Sequence, residues 1–337
     1  MQILLLGGSG WLGGHVARAA LAEGHEVTCL NRGRSGPVPD GVEWLIADRD
    51  AEDGLAEVTG RDWDAVIDVS RQPGQVRRAA RALADRAGHL VFVSTCSVYA
   101  DHSRPGTDED ARLLSPLAEE VMTSMEHYGP AKVACEQFVL EAFGAERSLL
   151  ARSGLIGGPG DTSGRSGYWP LRFARPCGPD GAVLVPSTSG RTVQLIDVRD
   201  QAAWLVAAAV AGTSGAINVV GEVMSLEDHL QLARQVAGHT GPVVTATDDW
   251  LVAQGVQEWM GELSLPLWLN DPDWVGFSQR SGQRARDAGL VTRPVAETLA
   301  DTLAWELDQG ADRARGAGLT CADERVFLAE LTGLTPG

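Results

Sequence analysis

Apolar and polar positions alternate between two periods over the first 150 residues. QILLLG at 2–7 is a short continuous apolar run ending in glycine, the pattern of a strand buried on both faces. WLGGHVARAALAE at 11–23 has helical spacing and stops at Gly24. EVTCLN (26–31), VEWLI (42–46), AVIDV (65–69) and HLVFVS (89–94) read as further strands, with a helix over GQVRRAARALADRAG (74–88). Strand–helix alternation at this spacing predicts an α/β fold: a Rossmann-like, doubly wound parallel sheet with helices on both faces. Such sheets bind ligands at the carboxyl ends of their strands.

Beyond residue 150 the rhythm becomes irregular. SGLIGGPGDTSGRSG (153–167) reads as a loop, AVLVP (182–186), TVQLI (192–196) and AINVVG (216–221) as strands, and 198–211, 225–237, 295–308 and 322–332 as helices. The pattern predicts a first domain over 1–152 plus part of 190–220. The remainder of 153–337 forms a smaller mixed α/β substrate domain.

Composition narrows the function classes. A net charge of −17 argues against a nucleic-acid partner and against an anionic membrane surface. Five scattered cysteines, with no C-x-x-C pair, read as reduced thiols and not as a disulfide frame or zinc site. The amino terminus lacks a basic n-region and reads as a strand rather than a signal peptide. The longest strongly apolar stretch, 202–212, is too short to span a bilayer. These readings predict a cytoplasmic protein acting on a small molecule, without a metal; a homodimer stays open.

GGSGWLG places Gly7, Gly10 and Gly13 directly after the first strand and at the start of the first helix. A pyrophosphate sitting on the exposed amides there needs close approach, which side chains would block. A plain tight turn is the bland alternative. The second strand ends in Asn31 and Arg32 where an acidic residue would hold the ribose of NAD and repel a 2′-phosphate. Asn31 can still bond a ribose, and Arg32 can pair with a phosphate or stack on adenine. NADP(H) is therefore favoured, with NAD(H) open. Asp48 can reach the adenine edge or cap a helix.

The chain has three tyrosines and a single lysine, Lys132, four residues after Tyr128. On a helix beginning near Pro130 the two lie one turn apart on the same side. A free phenol, with a pKa of about 10, exchanges protons poorly at neutral pH, and a nearby ammonium favours its ionised form. A compact ammonium can also bond a nicotinamide ribose, which the broad fork of arginine does not replace. Among the hydroxyls at the end of the 89–94 strand, Ser94 and Ser97 suit capping first and a substrate hydrogen bond second.

GGSGWLGGHV, VFVSTCSVYA, YGPAKVACE and LLARSGLIGGPGD together resemble the extended short-chain dehydrogenase/reductase superfamily, in its NAD-dependent epimerase/dehydratase branch. The resemblance covers residues 1–220 and implies a Rossmann-like domain binding NAD(P). It implies that Tyr128, Lys132 and Thr95 are catalytic. It carries the cofactor groove onto Gly7, Gly10, Trp11, Leu12, Gly13, Asn31, Arg32, Asp48, Arg49, Val69, Ser70, Ser94 and Lys132. Cys96 and Ser97 stand where related sugar-nucleotide 4,6-dehydratases carry Asp and Glu, which speaks against that dehydration and leaves both residues as substrate contacts. Segments such as NRGR and VIDVSRQPG also look like a subgroup containing chloroplast stem-loop-binding proteins, whose RNA binding the acidic charge disfavours here.

The leading expectation is an NAD(P)-dependent oxidoreductase moving a hydride to or from a carbonyl or alcohol carbon. Tyr168 and Trp169, with Trp250, Trp259, Trp268 and Trp274, are candidates to line a pocket for an apolar or aromatic substrate, or else to pack a core. A nucleotide-sugar epimerase is the alternative and needs cations for a diphosphate, with Arg165, Arg172, Arg175, Arg191 and Arg280 available. A non-catalytic dinucleotide-binding regulator is a third class, disfavoured by the Tyr–Lys pair.

Overall fold

The computed structural model describes residues 1–310 and 313–333; 334–337, the end of the second predicted domain, lies outside them with 311–312. The strands are β1 (Gln2–Leu6), β2 (Glu26–Asn31), β3 (Glu43–Ile46), β4 (Trp63–Asp68), β5 (Ala87–Thr95), β6 (Ser148–Ser153), β7 (Leu155–Gly157), β8 (Val183–Pro186), β9 (Thr192–Asp197), β10 (Gly215–Val219), β11 (Val223–Ser225) and β12 (Val243–Ala246). The helices are α1 (Trp11–Ala22), α2 (Ala56–Thr59), α3 (Pro73–Leu83), α4 (Tyr128–Phe143), α5 (Tyr168–Ala174), α6 (Val198–Ala211), α7 (Leu226–Val236), α8 (Asp248–Ala253), α9 (Gln283–Asp287), α10 (Val295–Gln309) and α11 (Cys321–Thr332).

Seven strands form one parallel sheet in the order β10-β6-β5-β4-β1-β2-β3. The side-chain period of two sends Ile3 and Leu5 of β1 to one face, where Val16, Ala17 and Ala20 of α1 meet Leu205, Ala208 and Ala209 of α6. Leu4 and Leu6 point the other way, into Val76 and Leu83 of α3 and Val139 and Phe143 of α4. Burial on both faces is why these strands read as unbroken apolar runs. β10 crosses back from the later half of the chain to close the sheet beside β6.

The second core gathers β7, β8, β9 and β12 with α5, α7, α10 and α11 around Trp169, Trp268, Leu226 and Leu328. β11, β9 and β7 form a small mixed sheet, and β8 pairs with β12 in parallel. Among the described residues no helix is long and apolar enough to cross a membrane.

Three expectations need correction. The helix read to residue 88 ends at Leu83, because Trp63 N donates to Arg86 O at 2.7 Å and Ala87 already pairs with Trp63 in the sheet. The stretch 153–167 is not loop throughout: Leu155–Gly157 pairs with β9. The cysteines are not all free, since Cys177 and Cys321, 144 residues apart, form a disulfide joining the segment after α5 to the start of α11. A spacing that long carries no local signature. Cys29, Cys96 and Cys135 are free and buried, and the cysteine argument for a reducing compartment no longer holds.

Candidate active site

Two clefts meet at the carboxyl ends of the central strands. The first, of about 560 Å³, is bounded by Gly7, Gly10, Asn31, Arg32, Asp48, Arg49, Val69 and Ser70, and also by Arg34 and Arg71. The second, of about 540 Å³, is bounded by Gly10, Trp11, Leu12, Gly13, Ser94, Thr95, Ser97, Tyr128 and Lys132, with Arg165, Met125, Trp259, Met260 and Phe277 on its outer side. Gly10, Val69 and Arg71 border both, so the two are one continuous groove.

The glycine loop seats α1 tightly on the sheet. A Cβ on Gly13 would stand 2.6 Å from Gly7 O, so only glycine lets the first helical turn press onto the loop. The side of Gly10 is open by contrast, with its nearest neighbour Gly7 O at 3.9 Å. α1 begins with no acidic side chain in its first turn and with amides that lack helical partners, which suits an anion. Trp11 Nε1 donates to Pro159 O at 2.8 Å and ties the start of α1 to the loop after β7.

Around the first cleft, Asn31 Oδ1 accepts from Gly33 N (2.8 Å) and Trp44 Nε1 (3.2 Å), leaving Nδ2 without a partner among the described residues. Arg32 and Arg34 are exposed and line the same wall. Arg49 is turned inward: it is buried, bonded to Ser70 Oγ, and paired with Asp68 at 3.3 Å. Asp48 Oδ1 accepts from the Asp50 amide at 3.1 Å, holding a turn and not the helix cap weighed for it above.

α4 carries the Tyr–Lys pair and begins at Tyr128 itself. A Cβ on Gly129 would stand 2.3 Å from Ser97 O, so the glycine after the tyrosine allows α4 to close against the end of β5. Tyr128 is half-buried and Lys132 buried. The ammonium donates to Ser70 O (2.7 Å) and Val93 O (2.6 Å) and stands 4.4 Å from the Phe92 ring centroid. It makes no hydrogen bond to Tyr128 among the described residues. Two of its three hydrogens are spent, and one remains. Thr95 ends β5, its Oγ1 accepting from Ser97 N at 3.2 Å.

Several predicted contacts lie elsewhere. Ser94 borders the groove, but its hydroxyl donates to Glu136 Oε1 at 2.5 Å, inside a network where Arg152 and Glu136 pair at 2.8 Å. Cys96 borders neither cleft: it is buried against Arg152 O, and burial pushes its thiol up to about 12. Tyr168 and Trp169 pack in the second core, and Trp169 Nε1 donates to Pro266 O at 2.8 Å. They are core residues because α5 turns this face away from the groove. Tyr99 is buried too, donating to Asn218 Oδ1 at 2.5 Å.

Of the six aromatics weighed above, only Trp259 borders the groove. Phe277, Met125 and Met260 join it there without a sequence signal, since lone apolar residues in irregular chain look alike wherever they fold. Arg71 was missed as well; its place directly after Ser70 is the one hint. Arg165 reaches the groove from a loop organised by Asp161, whose carboxylate accepts from the amides of Ser163 (2.9 Å) and Ser166 (3.0 Å). The other arginines are committed or remote. Arg172 pairs with Glu324 at 3.0 Å, and Arg191 with Asp248 at 2.8 Å. Arg280 donates to Asp101 O at 2.7 Å, and Arg175 borders neither cleft.

Comparison with known proteins agrees with this architecture. The model of the NAD dependent epimerase/dehydratase family matches residues 3–221. A curated relative, 2'-dehydrokanamycin reductase of Streptomyces kanamyceticus, is 30% identical over 161 residues, which are 46% of this chain and 43% of that protein. The chain thus aligns with less than half the length of that relative. Among solved structures, UDP-N-acetylglucosamine 4-epimerase from Bacillus cereus superposes with a TM-score of 0.66 at 17% identity, covering 94% of this chain and 100% of that one. UDP-glucuronic acid 4-epimerase from Bacillus cereus, in complex with NAD, gives 0.65 at 16% identity, covering 92% and 100%. At these identities the likeness is one of fold.

Proposed function

Because this chain belongs to the NAD-dependent epimerase/dehydratase family, we propose that it is an NADP(H)-using reductase of carbonyl groups on an apolar or aromatic small molecule. The observation carrying this reading is that Tyr128, Thr95 and Lys132 border one groove, continuous with the glycine-loop cleft.

The groove suits a dinucleotide on its own terms. The start of α1 offers unpaired amides beside the open face of Gly10, Asn31 Nδ2 lacks a partner among the described residues, and Arg32 and Arg34 stand exposed where a 2′-phosphate would need cations. When bound, the nicotinamide supplies or takes up the hydride. The protein does the rest. Tyr128 passes a proton to the substrate oxygen as its carbon is reduced, and takes it back in the reverse direction. The Thr95 hydroxyl orients that oxygen. Lys132, latched to two carbonyls, turns its remaining hydrogen to the ribose. Met125, Trp259, Met260 and Phe277 give the other end an apolar wall for the body of the substrate.

Two findings favour a reductase over an epimerase that returns the hydride to its own substrate. Arg172, Arg191 and Arg280 are bonded within the protein and are not offered to a diphosphate. The curated relative is named as a reductase. The test is NADPH oxidation with a panel of aromatic and apolar aldehydes and ketones, for the wild type and Tyr128→Phe. Net oxidation that drops at least about 100-fold in the variant, with NADPH binding retained, is the expected result. Turnover untouched by the substitution sinks the assignment, and conversion of a sugar nucleotide without net oxidation favours the epimerase.

A further inference from the structure

Among the described residues, the groove wall around Tyr128 carries three cations, Arg71, Lys132 and Arg165, and no carboxylate, in a chain of net charge −17. Two of the three face the cofactor end. Arg71 also borders the first cleft, and Lys132 is latched to Ser70 and Val93. Arg165 alone belongs to the apolar end.

Its environment is unusual for a structural arginine. Nε donates to Ser163 Oγ at 3.1 Å, while the two terminal amino groups meet no acceptor among the described residues. The guanidinium lies 5.3 Å from the Trp259 ring centroid, with Met260 and Phe277 on the same wall. Trp259 itself holds a φ of 67°, a left-handed conformation that a bulky residue adopts only when its surroundings enforce it. A half-buried guanidinium resting on a strained tryptophan, with its paired donors unused, is a prepared anion site: the planar fork matches a carboxylate with two parallel hydrogen bonds.

We propose that the substrate is a monocarboxylate: a carbonyl compound with an apolar or aromatic body whose carboxylate docks on Arg165. This rests on the carbonyl-reductase reading above. Beside the Asp161 carboxylate, Arg165 offers one pair of free donors, which one carboxylate fills, whereas a phosphate or diphosphate brings more charge than that fork takes up. An ammonium-bearing substrate meets no carboxylate on this wall among the described residues. Arg165 is thus the specificity-determining residue and Trp259 the platform that holds it.

The test uses the NADP⁺-loaded protein, which binds a ketone without turnover. Calorimetric titrations compare phenylpyruvate and 3-benzoylpropionate, whose carboxylates lie at different distances from the carbonyl, with their methyl esters. At least one acid binds about tenfold or more tightly than its ester, the gap closes in Arg165→Gln, and Arg165→Lys keeps part of it. Equal affinity of acids and esters, a gap that survives Arg165→Gln, or no binding by any of the four overturns the proposal. NADPH oxidation by the same four compounds separates it from the broader reading. Acid-selective binding without turnover sinks the reductase and leaves the anion site standing, while equal turnover of acids and esters does the reverse.

Discussion

Lys132 donates to the carbonyl oxygen of Ser70 at 2.7 Å, so the helix carrying Tyr128 is fastened to the segment after β4, whose Val69 and Arg71 border both clefts. The one lysine of the chain therefore has a mechanical duty beside the chemical one proposed for it. In Lys132→Met the Ser70 and Val93 carbonyls lose their donor, at about 1–3 kcal/mol each where no water replaces it. Turnover falls about 100-fold or more and NADPH affinity weakens in the same variant. Lys132→Arg restores neither, because a planar fork cannot occupy the place of a point donor. Urea unfolding and NADPH fluorescence titration measure the two effects separately; an unchanged stability shows the latch to be idle.

Cofactor choice turns on Arg32. Arg32→Glu places a negative charge at the end of β2, where a 2′-phosphate is proposed to sit. NADPH affinity drops at least about tenfold while NADH affinity holds or improves. Titration of both cofactors against both proteins decides it, and parallel losses show that Arg32 does not distinguish them.

The Glu136–Arg152 pair, at 2.8 Å and with both side chains buried, joins α4 to β6. Removing either charge strands the other: Glu136→Gln or Arg152→Met costs about 3–5 kcal/mol in urea unfolding, and the double variant costs less than the two single losses added together. Strict additivity shows that the two side chains do not act as a pair.

His229 is fully buried, and burial lowers its pKa to about 4. Neither ring nitrogen has a hydrogen-bond partner among the described residues. The unfolded chain takes up a proton near the ordinary value of about 6.5, which the folded one refuses until near 4. Between those limits the unfolded state binds more protons, so stability rises with pH across this window and is lost as pH falls. The residue accounts for about 2 kcal/mol between pH 7 and pH 5. His229→Leu flattens the pH dependence of unfolding by that amount; an identical slope in both proteins refutes it.

The parallel sheet was legible because its strands are buried on both faces and so unmixed in character, as in β1 and β2. β6 was not read as a strand, since Ser148, Arg152 and Ser153 place polar groups inside the fold. They are tolerated there only through partners far along the chain, such as Glu136 for Arg152 and Gln201 for Ser153. The end of the groove proposed for the cofactor follows from local motifs, since loop, strand end and helix start are each continuous in sequence. The substrate end draws Met125, Arg165, Trp259 and Phe277 from separated segments with no shared spacing. Tyr168 and Trp169 misled for the same reason: nothing local tells an aromatic residue facing a groove from one facing a core.

Trp11 opens α1 and holds Pro159 O through its indole, while the same indole lies against Gly160, where an added Cβ would come within 2.8 Å of it. From there the chain runs directly through the Asp161 turn to Arg165. The start of α1, proposed to take phosphates, and the loop carrying Arg165 thus hang on one bracket. A displacement at either end of this bracket is passed to the other through the Trp11–Pro159 bond.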